Sequence, residues 1–573
     1  MTDGRSLLLR GYGPVVSLVV VFGLVALLAP TVDGAAQVAV EDGRDGGGSF
    51  SSAGGQDTDG SESSTDADAA PGAEQDATVD DDQQQAGGTD GDGATGGDGN
   101  GGTSGENGAE DGNGGQAGPA GVAACDDREL QVPGDPYSPP CLAFDGDNGG
   151  ATHRGVSEDT ITFTVRTPDE PGFQDTLANL SDAVISDTPQ DIQRTVAGLT
   201  DYFNERFQFY GRQLEPVFHE GQGSPTEELL GGGREGAQAD ALTVAEEHQA
   251  FAELNGATEP YGGALADQGV INLGVPYLSR EWLTDRRPYS WSMDSDCDVI
   301  ADAIADYVVK RVINKPAEHA GGELQGQERR VAYIAPDNPW YQGCVEKAMQ
   351  MTRDAGHDAQ FISYTLDLNT MSNQAANLVA RLQNDGITTV QCSCDPVLPV
   401  FLTARAHEQQ YQPEWVVSGV AWTTTDYVGQ VFNQDQWSRA FGISFDSAAQ
   451  PSQASLGYNA YKQVRDDEPA FAVQDIYNSM YLLAIGIQGA GPELTPESFE
   501  QGMFDYPERA GPEGVWGFGP QDYTPRLDYR EVYWDPSQTS AFNNDQGAYV
   551  DTDPGSRYRP GDAPSGDPKA ANS

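Results

Sequence analysis

Between Asp159 and Asp535 the chain switches repeatedly between two hydrophobic periods. DTITFTV (Asp159–Val165) is rich in β-branched and aromatic residues and predicts a strand. In the TPQDIQRTVAGLTDYFNERF that follows, Ile192, Val196, Leu199, Phe203 and Phe207 fall on one helical face. Asp187 or Thr188 can cap that helix, and Pro189 suits its first turn. QLEPVFHE, QAFAEL and VINLGV read as strands, separated by helical patterns at REGAQADALTVAEEH and PYGGALADQG. A second series opens with the helix DVIADAIADYVVKRVI. It continues with strands RRVAYIAP, AQFISYTL, ITTVQCSC and PEWVVSG. The helices between them are YQGCVEKAMQMTRDAG, TMSNQAANLVARLQNDG and PVLPVFLTARAHEQQY, the first two ended by Gly356 and Gly386. A last helix, DIYNSMYLLAIGIQGAG, precedes the strand-like YREVYWD. Alternating strands and helices predict parallel, doubly wound sheets covered on both faces, an α/β fold. Two such runs joined near Ser290–Asp298 imply two lobes, about 155–293 and 294–440, with the chain then crossing back inside a folded region of 121–550.

Outside that region the periodicity disappears. Residues 41–120 hold one basic residue, Arg44, and one aromatic, Phe50. Such a Gly/Asp-rich stretch cannot bury enough apolar surface to offset its ordering entropy, so a disordered acidic stalk is expected over 37–120. The tail 551–573 reads the same way. At the start, Arg5 and Arg10 precede the apolar run PVVSLVVVFGLVALLAP, with small residues near Gly34–Ala36. This predicts a signal peptide or N-terminal membrane anchor over 1–36, and an extracytoplasmic protein, secreted or tethered to the outer face of the membrane. No cysteine precedes Cys125, so a lipid-modified N-terminal cysteine is excluded.

Beyond the membrane disulfides persist. Cys125 and Cys141 bracket a proline-broken loop and are expected to pair, marking where ordered protein begins. Cys297, Cys344, Cys392 and Cys394 also read as disulfide cysteines, in any of three connectivities. The net charge of −58, from 31 basic and 89 acidic residues, excludes a nucleic-acid footprint. It suits a high-salt habitat.

Motifs for chemistry are lacking. GGGREG (Gly231–Gly236) matches a dinucleotide fingerprint as text but does not follow a strand directly. DSDCD (Asp294–Asp298) begins like a calcium loop, but Val299 and Ala305 stand where that loop needs Gly and Glu. Asp296 and Asp298 therefore read as acids at a helix start. Cys392-Ser-Cys394 is too tight for a zinc knuckle. The six histidines are scattered, and no nucleophile elbow or P-loop occurs. No catalytic residues, metal or cofactor are predicted. The remaining candidates are strand-end loops with aromatic and small polar residues: Thr167–Phe173, Asn255–Thr258, Pro276–Trp282, Pro336–Gly343, Cys394–Pro396 and Gly419–Thr424. Ligands of open parallel sheets bind outside the carboxyl ends of the strands. Asn255, Gly256, Thr258, Tyr277, Ser279, Trp340, Tyr341, Asp395 and Trp422 are the ligand-binding candidates.

GDNGGATHRGVSEDTITFTV followed by LTDYFNERFQFYGRQLEPVFHE resembles the entry to ABC-transporter solute-binding proteins of the Leu/Ile/Val-binding type. The family's stretch appears as Tyr202-Phe203-Asn204-Glu205 and Gly211-Arg212, and VAYIAPDNPWYQGCVEKA resembles the start of its second lobe. The stapled preamble resembles actinobacterial members. The resemblance spans roughly 155–535. It implies a type I periplasmic-binding fold that closes on an amino acid, amide, or aromatic or branched acid and hands it to an ABC permease. In amino-acid binders a Ser and a Thr of the first lobe hold the ligand. By chain order the matching loops are Asn255–Thr258 and Pro276–Ser279. A sensing receptor of the same fold and a non-binding surface protein are the alternatives.

Overall fold

The computed structural model describes residues 125, 128–168, 170, 178–179, 187–254 and 256–571. The expected signal segment and acidic stalk lie outside the described residues, as do Asn255 and most of the loop 167–173.

Lobe I is built on β1 (Thr160–Arg166), β2 (Gln213–His219), β3 (Ala252–Glu253), β4 (Ile271–Leu273) and β5 (Ser290–Trp291), all parallel in the order β2-β1-β3-β4-β5. Between them run α1 (Pro189–Arg206), α2 (Pro225–Leu229), α3 (Arg234–Leu242), α4 (Glu259–Asp267) and α5 (Arg280–Asp285). Helix α1 starts at a capping box: Thr188 accepts from the Asp191 N–H and Asp191 reaches back to Thr188.

Lobe II begins with α6 (Cys297–Tyr307) and β6 (Val331–Pro336). Then come α7 (Pro339–Asp354), β7 (Ala359–Tyr364), α8 (Met371–Asn384), β8 (Thr389–Cys392), α9 (Leu398–Glu408), β9 (Glu414–Val417) and β10 (Ala440–Ser444). The chain returns to lobe I for α10 (Leu456–Val464), α11 (Val473–Ala490), α12 (Pro496–Phe504) and the hairpin β11 (Arg509–Gly511)–β12 (Gly514–Trp516). It crosses once more to add β13 (Arg530–Thr539) and β14 (Gln546–Asp551). The lobe II sheet is ordered β14-β13-β10-β9-β8-β6-β7, parallel except for its last two strands, which pair antiparallel with β10 and with each other.

The cores follow the periods. In lobe I, Phe203 of α1 and Phe207, which follows its last turn, meet Tyr477 and Tyr481 of α11, all fully or nearly fully buried. β6 is buried along its whole length, as expected for a strand covered by helices on both faces. The lobes join through three crossings, 292–296, 445–455 and 524–529.

Three disulfides form: Cys125–Cys141, Cys297–Cys344 and Cys392–Cys394. The first is the expected pair and the other two select one of the three open connectivities. The tail is a correction. Residues 551–571, expected to be disordered, follow the surface of lobe II. Tyr558 pairs through its backbone with Tyr529, and several later carbonyls meet cationic donors: Arg311 Nη1 donates to Ser565 O at 3.2 Å and Asp567 O at 3.1 Å, and Lys315 to Gly566 O. His319 Nε2 lies 2.9 Å from Pro568 O. Charge-assisted hydrogen bonds order this segment, together with packing of Tyr558 and Ala570 on the lobe II core.

Candidate functional site

The carboxyl ends of the lobe I strands rest on a buried polar network. Arg166, the last residue of β1, is 1% exposed. Its guanidinium donates to both Glu228 oxygens, at 2.9 and 2.8 Å, and to Asp240 Oδ2 at 3.1 Å. It also lies 3.8 Å from the centroid of the Tyr261 ring. Burial acts to lower its pKa, but the Glu228 and Asp240 carboxylates win and hold it above the ordinary arginine range. Asp240 in turn accepts the N–H groups of Gln222 at 2.6 Å and Gly223 at 2.9 Å. Glu253 accepts the Arg166 N–H at 2.8 Å and faces His219 at 3.4 Å. Burial would raise the Glu253 pKa, yet His219 and the donors around it hold it below the usual value. One cation thus fixes α2, α3 and α4 around the end of β1.

Several predicted residues serve this scaffold. The Thr258 hydroxyl, 2% exposed, donates to Glu228. Gly256 packs so tightly on β4 that an added Cβ would fall 1.9 Å from Asn272 Oδ1. The Ser279 hydroxyl caps α5 by accepting the Trp282 N–H at 3.1 Å. Asp395 is buried; it accepts the Tyr364 hydroxyl at 2.5 Å and the N–H groups of Val397 and Leu398 at 2.7 and 3.1 Å. Its side chain therefore shapes the start of α9.

Other predicted residues meet across the lobes. The Ala421 N–H of lobe II donates to Tyr277 Oη of lobe I at 3.0 Å. Tyr277, Ala421 and Trp422 all hold left-handed backbone, at φ of 59°, 49° and 58°. Such strain in non-glycine residues marks a conformation imposed by its surroundings. Trp422 packs part-buried on the lobe II core. Asn338, which caps α7, donates to Leu229 O of lobe I at 2.9 Å, and Arg234 of lobe I stands 5.6 Å from the Trp340 ring centroid. Burial pushes the neighbouring Tyr341 phenol up, with the Glu259 charge adding to it.

Ser279 and Trp340 line one inter-lobe cavity of about 590 Å³ together with Arg280, Trp282, Asp298 and Lys347. Two indoles form apolar wall, and the charges come in pairs: Lys347–Asp298 at 2.8 Å, and Arg280–Asp296 at 3.4 Å. Asp296 also caps α6 by accepting the Val299 N–H at 2.8 Å.

Beside Tyr277 lies a cluster that the sequence reading does not contain. Each crossing contributes one charge: Asp294, Asp446 and Arg526. Arg526 is 8% exposed and pairs with Asp294 at 3.5 Å, Asp446 at 3.3 Å and Glu513 at 3.5 Å. Four carboxylates share this one cation when Asp475, at the start of α11, is counted. Desolvation by the residues around it, then the charge of Asp294 and those of Asp446 and Glu513, push the pKa of the solvent-reaching Asp475 up to about 7 against the pull of Arg526. These residues are far apart in sequence, and no shared spacing or motif marks them as one cluster.

Two lobes, three crossings and strand-end loops facing one another across the gap define the two-lobed architecture of periplasmic-binding proteins. The periplasmic binding protein family matches residues 187–540, and the chain belongs to it. Among solved structures, an ABC transporter substrate-binding protein from Sphaerobacter thermophilus is similar at TM-score 0.50 and 12% identity, over 70% of this chain and 99% of that one. A solute-binding protein from Rhodopseudomonas palustris BisB5 in complex with 3,4-dihydroxybenzoic acid gives 0.49 and 13%, over 69% and 99%. A branched-chain amino acid transporter substrate-binding protein from Streptococcus pneumoniae in complex with isoleucine gives 0.47 and 13%, over 69% and 100%. No curated relative matches the sequence.

Proposed function

We propose that the protein is an extracytoplasmic solute-binding protein. It captures an amino acid, an amide, or an aromatic or branched acid between its lobes and delivers it to an ABC permease. The observation that carries this reading is the inter-lobe cavity, about 590 Å³, a volume suited to a small organic molecule. Its indole walls offer contact to an apolar body, and its paired charges offer partners for an ammonium and a carboxylate. In this reading Trp340 and Ser279 of the cavity wall, with Tyr277 at the lobe contact, answer the ligand, and Trp422, Tyr341, Asn255, Gly256, Thr258 and Asp395 shape the loops around it. The N-terminal apolar segment accounts for export and for any attachment to the membrane.

The test is a thermal-shift screen of the full oxidised chain against amino acids, amides, polyamines and aromatic acids, at low and at high salt. A ligand at about 100 times its Kd stabilises by about 2.7 kcal/mol, which a melting curve resolves. A hit that disappears in Trp340→Ala supports capture at this cavity. A flat response across the library at both salt concentrations overturns it.

A further inference from the structure

We infer that the disulfide-closed loop Cys125–Cys141 holds the hinge: its Tyr137, and the Glu513 that Tyr137 seats, are positioning residues for Arg526 and through it for closure of the lobes. This rests on the hinge-closing function proposed above and adds the part of the chain that sets how easily the lobes separate.

Arg526 pairs with Asp294, Asp446 and Glu513 and attracts Asp475, and it ties together all three crossings. The crossings are laced further by backbone contacts. Ser295 donates to Arg526 O at 3.2 Å, the Asp296 N–H to Thr524 Oγ1 at 3.3 Å, and Arg530 to Asp446 O at 2.9 Å. Hinge motion concentrates its backbone change in a few such residues, so whatever fixes Arg526 biases the motion.

Glu513 is what fixes Arg526 from the lobe I side. It sits in the two-residue turn of the β11–β12 hairpin and accepts from Gln474 at 3.0 Å and Asn478 at 3.1 Å, besides pairing with Arg526. The turn is seated by Tyr137. That side chain is 1% exposed and stacks on Trp516 with ring centroids 4.1 Å apart. Its hydroxyl accepts the Glu513 N–H at 2.8 Å and donates to Gly514 O at 2.8 Å. The hairpin is shaped to receive it: a Cβ on Gly511 would fall 2.4 Å from Tyr137 Cζ. Tyr137 is itself held through its backbone, its N–H donating to Asp135 at 2.9 Å and its carbonyl accepting the Tyr506 hydroxyl at 2.6 Å. The disulfide keeps the loop that carries Tyr137 closed on lobe I. The line of contact is therefore stapled loop, Tyr137, Glu513, Arg526, and then one aspartate on each of the other two crossings.

The test reads opening directly, without ligand. The Ala421 amide donates to Tyr277 across the lobes, so hydrogen exchange in 419–424 reports their separation. In the full oxidised chain, Arg526→Gln should speed exchange there about tenfold and Tyr137→Phe severalfold, while amides of β6 keep their wild-type protection. Arg526→Lys should recover part of the protection. If Arg526→Gln does not fold, Asp294→Asn, which removes one part-exposed partner, takes its place. Unchanged exchange at 419–424 in Tyr137→Phe overturns the link. Uniform loss of protection across β6 as well would mark a purely structural role and overturns it too. Because no ligand is added, this outcome is independent of the thermal-shift screen.

Discussion

In lobe I the buried guanidinium, Arg166, stands at the carboxyl end of β1, directly under the loops that face lobe II. In lobe II the buried pair of Arg329 and Glu414 stands at the amino ends of β6 and β9, on the far side of the sheet from those loops. The two sites are alike in chemistry. Arg329 meets both Glu414 oxygens at 2.7 and 2.8 Å, and Glu414 also accepts Thr389 at 2.7 Å and the His319 N–H at 3.1 Å. They differ in what they order. Arg166 orders α2, α3 and α4 around the inter-lobe gap. Arg329–Glu414 ties the start of the lobe II sheet to the segment at His319, against which the C-terminal tail lies. Lobe I is thus preorganised at its binding face by charge. Lobe II holds the face toward the gap with the helix cap at Asn338, the Asp395 carboxylate ahead of α9 and aromatic packing.

The sharpest way to break this comparison is to remove each arginine. Arg166→Met and Arg329→Met should each cost about 3–5 kcal/mol, because either leaves buried carboxylates without their cation. Chemical denaturation measures that cost. Only Arg166→Met should also abolish the ligand-induced thermal shift. Equal loss of the ligand response in both variants would mean that position along the sheet does not matter, and the contrast between the lobes would fail.

A smaller effect is expected where lobe II relies on a cap. Asp395→Ala removes the acceptor of the Tyr364 hydroxyl and of the Val397 and Leu398 amides, where α9 begins. The loss should be about 1–2 kcal/mol, the scale of a helix cap. Asp395→Asn retains an acceptor and should recover part of it. If Asp395→Ala leaves the melting temperature unchanged but removes the ligand shift, Asp395 contacts ligand directly, and lobe II is less dependent on caps than described.

The sequence reading located the repeating architecture because α1, α6 to α9, and strands such as β6 carry long, clean periods. It missed β10, whose AFGIS is a short apolar run with a central glycine, and β5, which is two residues long. Helix α11 was legible as a helix, but its place in the lobe I core was not. That place follows from its Tyr477 and Tyr481 meeting α1. The binding candidates were drawn from loop position, and of them Ser279 and Trp340 line the cavity. Thr258 and Asp395 have the same chemistry as ligand-binding residues, and only tertiary placement shows their oxygens engaged by Glu228 and Tyr364. Arg166, Glu228 and Arg526 lie far apart in sequence and have no motif, so their networks exist only in the folded chain. The tail misled for a related reason: composition records its lack of apolar residues but not the cations of lobe II that bind its carbonyls.

The smallest expected effect concerns Asp475, which belongs to neither buried pair but to the hinge between the lobes. Its side chain reaches solvent, yet Asp294, Asp446 and Glu513 crowd it, and its pKa stands at about 7 against an ordinary value of 3.8. The sign follows from linkage. Between about pH 4 and pH 7 the folded protein keeps a proton on Asp475 that the unfolded chain has released. Stability from this group is therefore fully present below that window and is lost as pH rises through it. Above about pH 7 both states are ionised and the contribution is flat. Solvent access screens the repulsion, so the change is smaller than the loss of either buried arginine pair. Asp475→Asn has no proton to lose, and its melting temperature should fall less than the wild type's over the same window. Parallel curves for the two proteins would show that Arg526 neutralises the cluster completely, and Asp475 would then give the hinge no pH dependence.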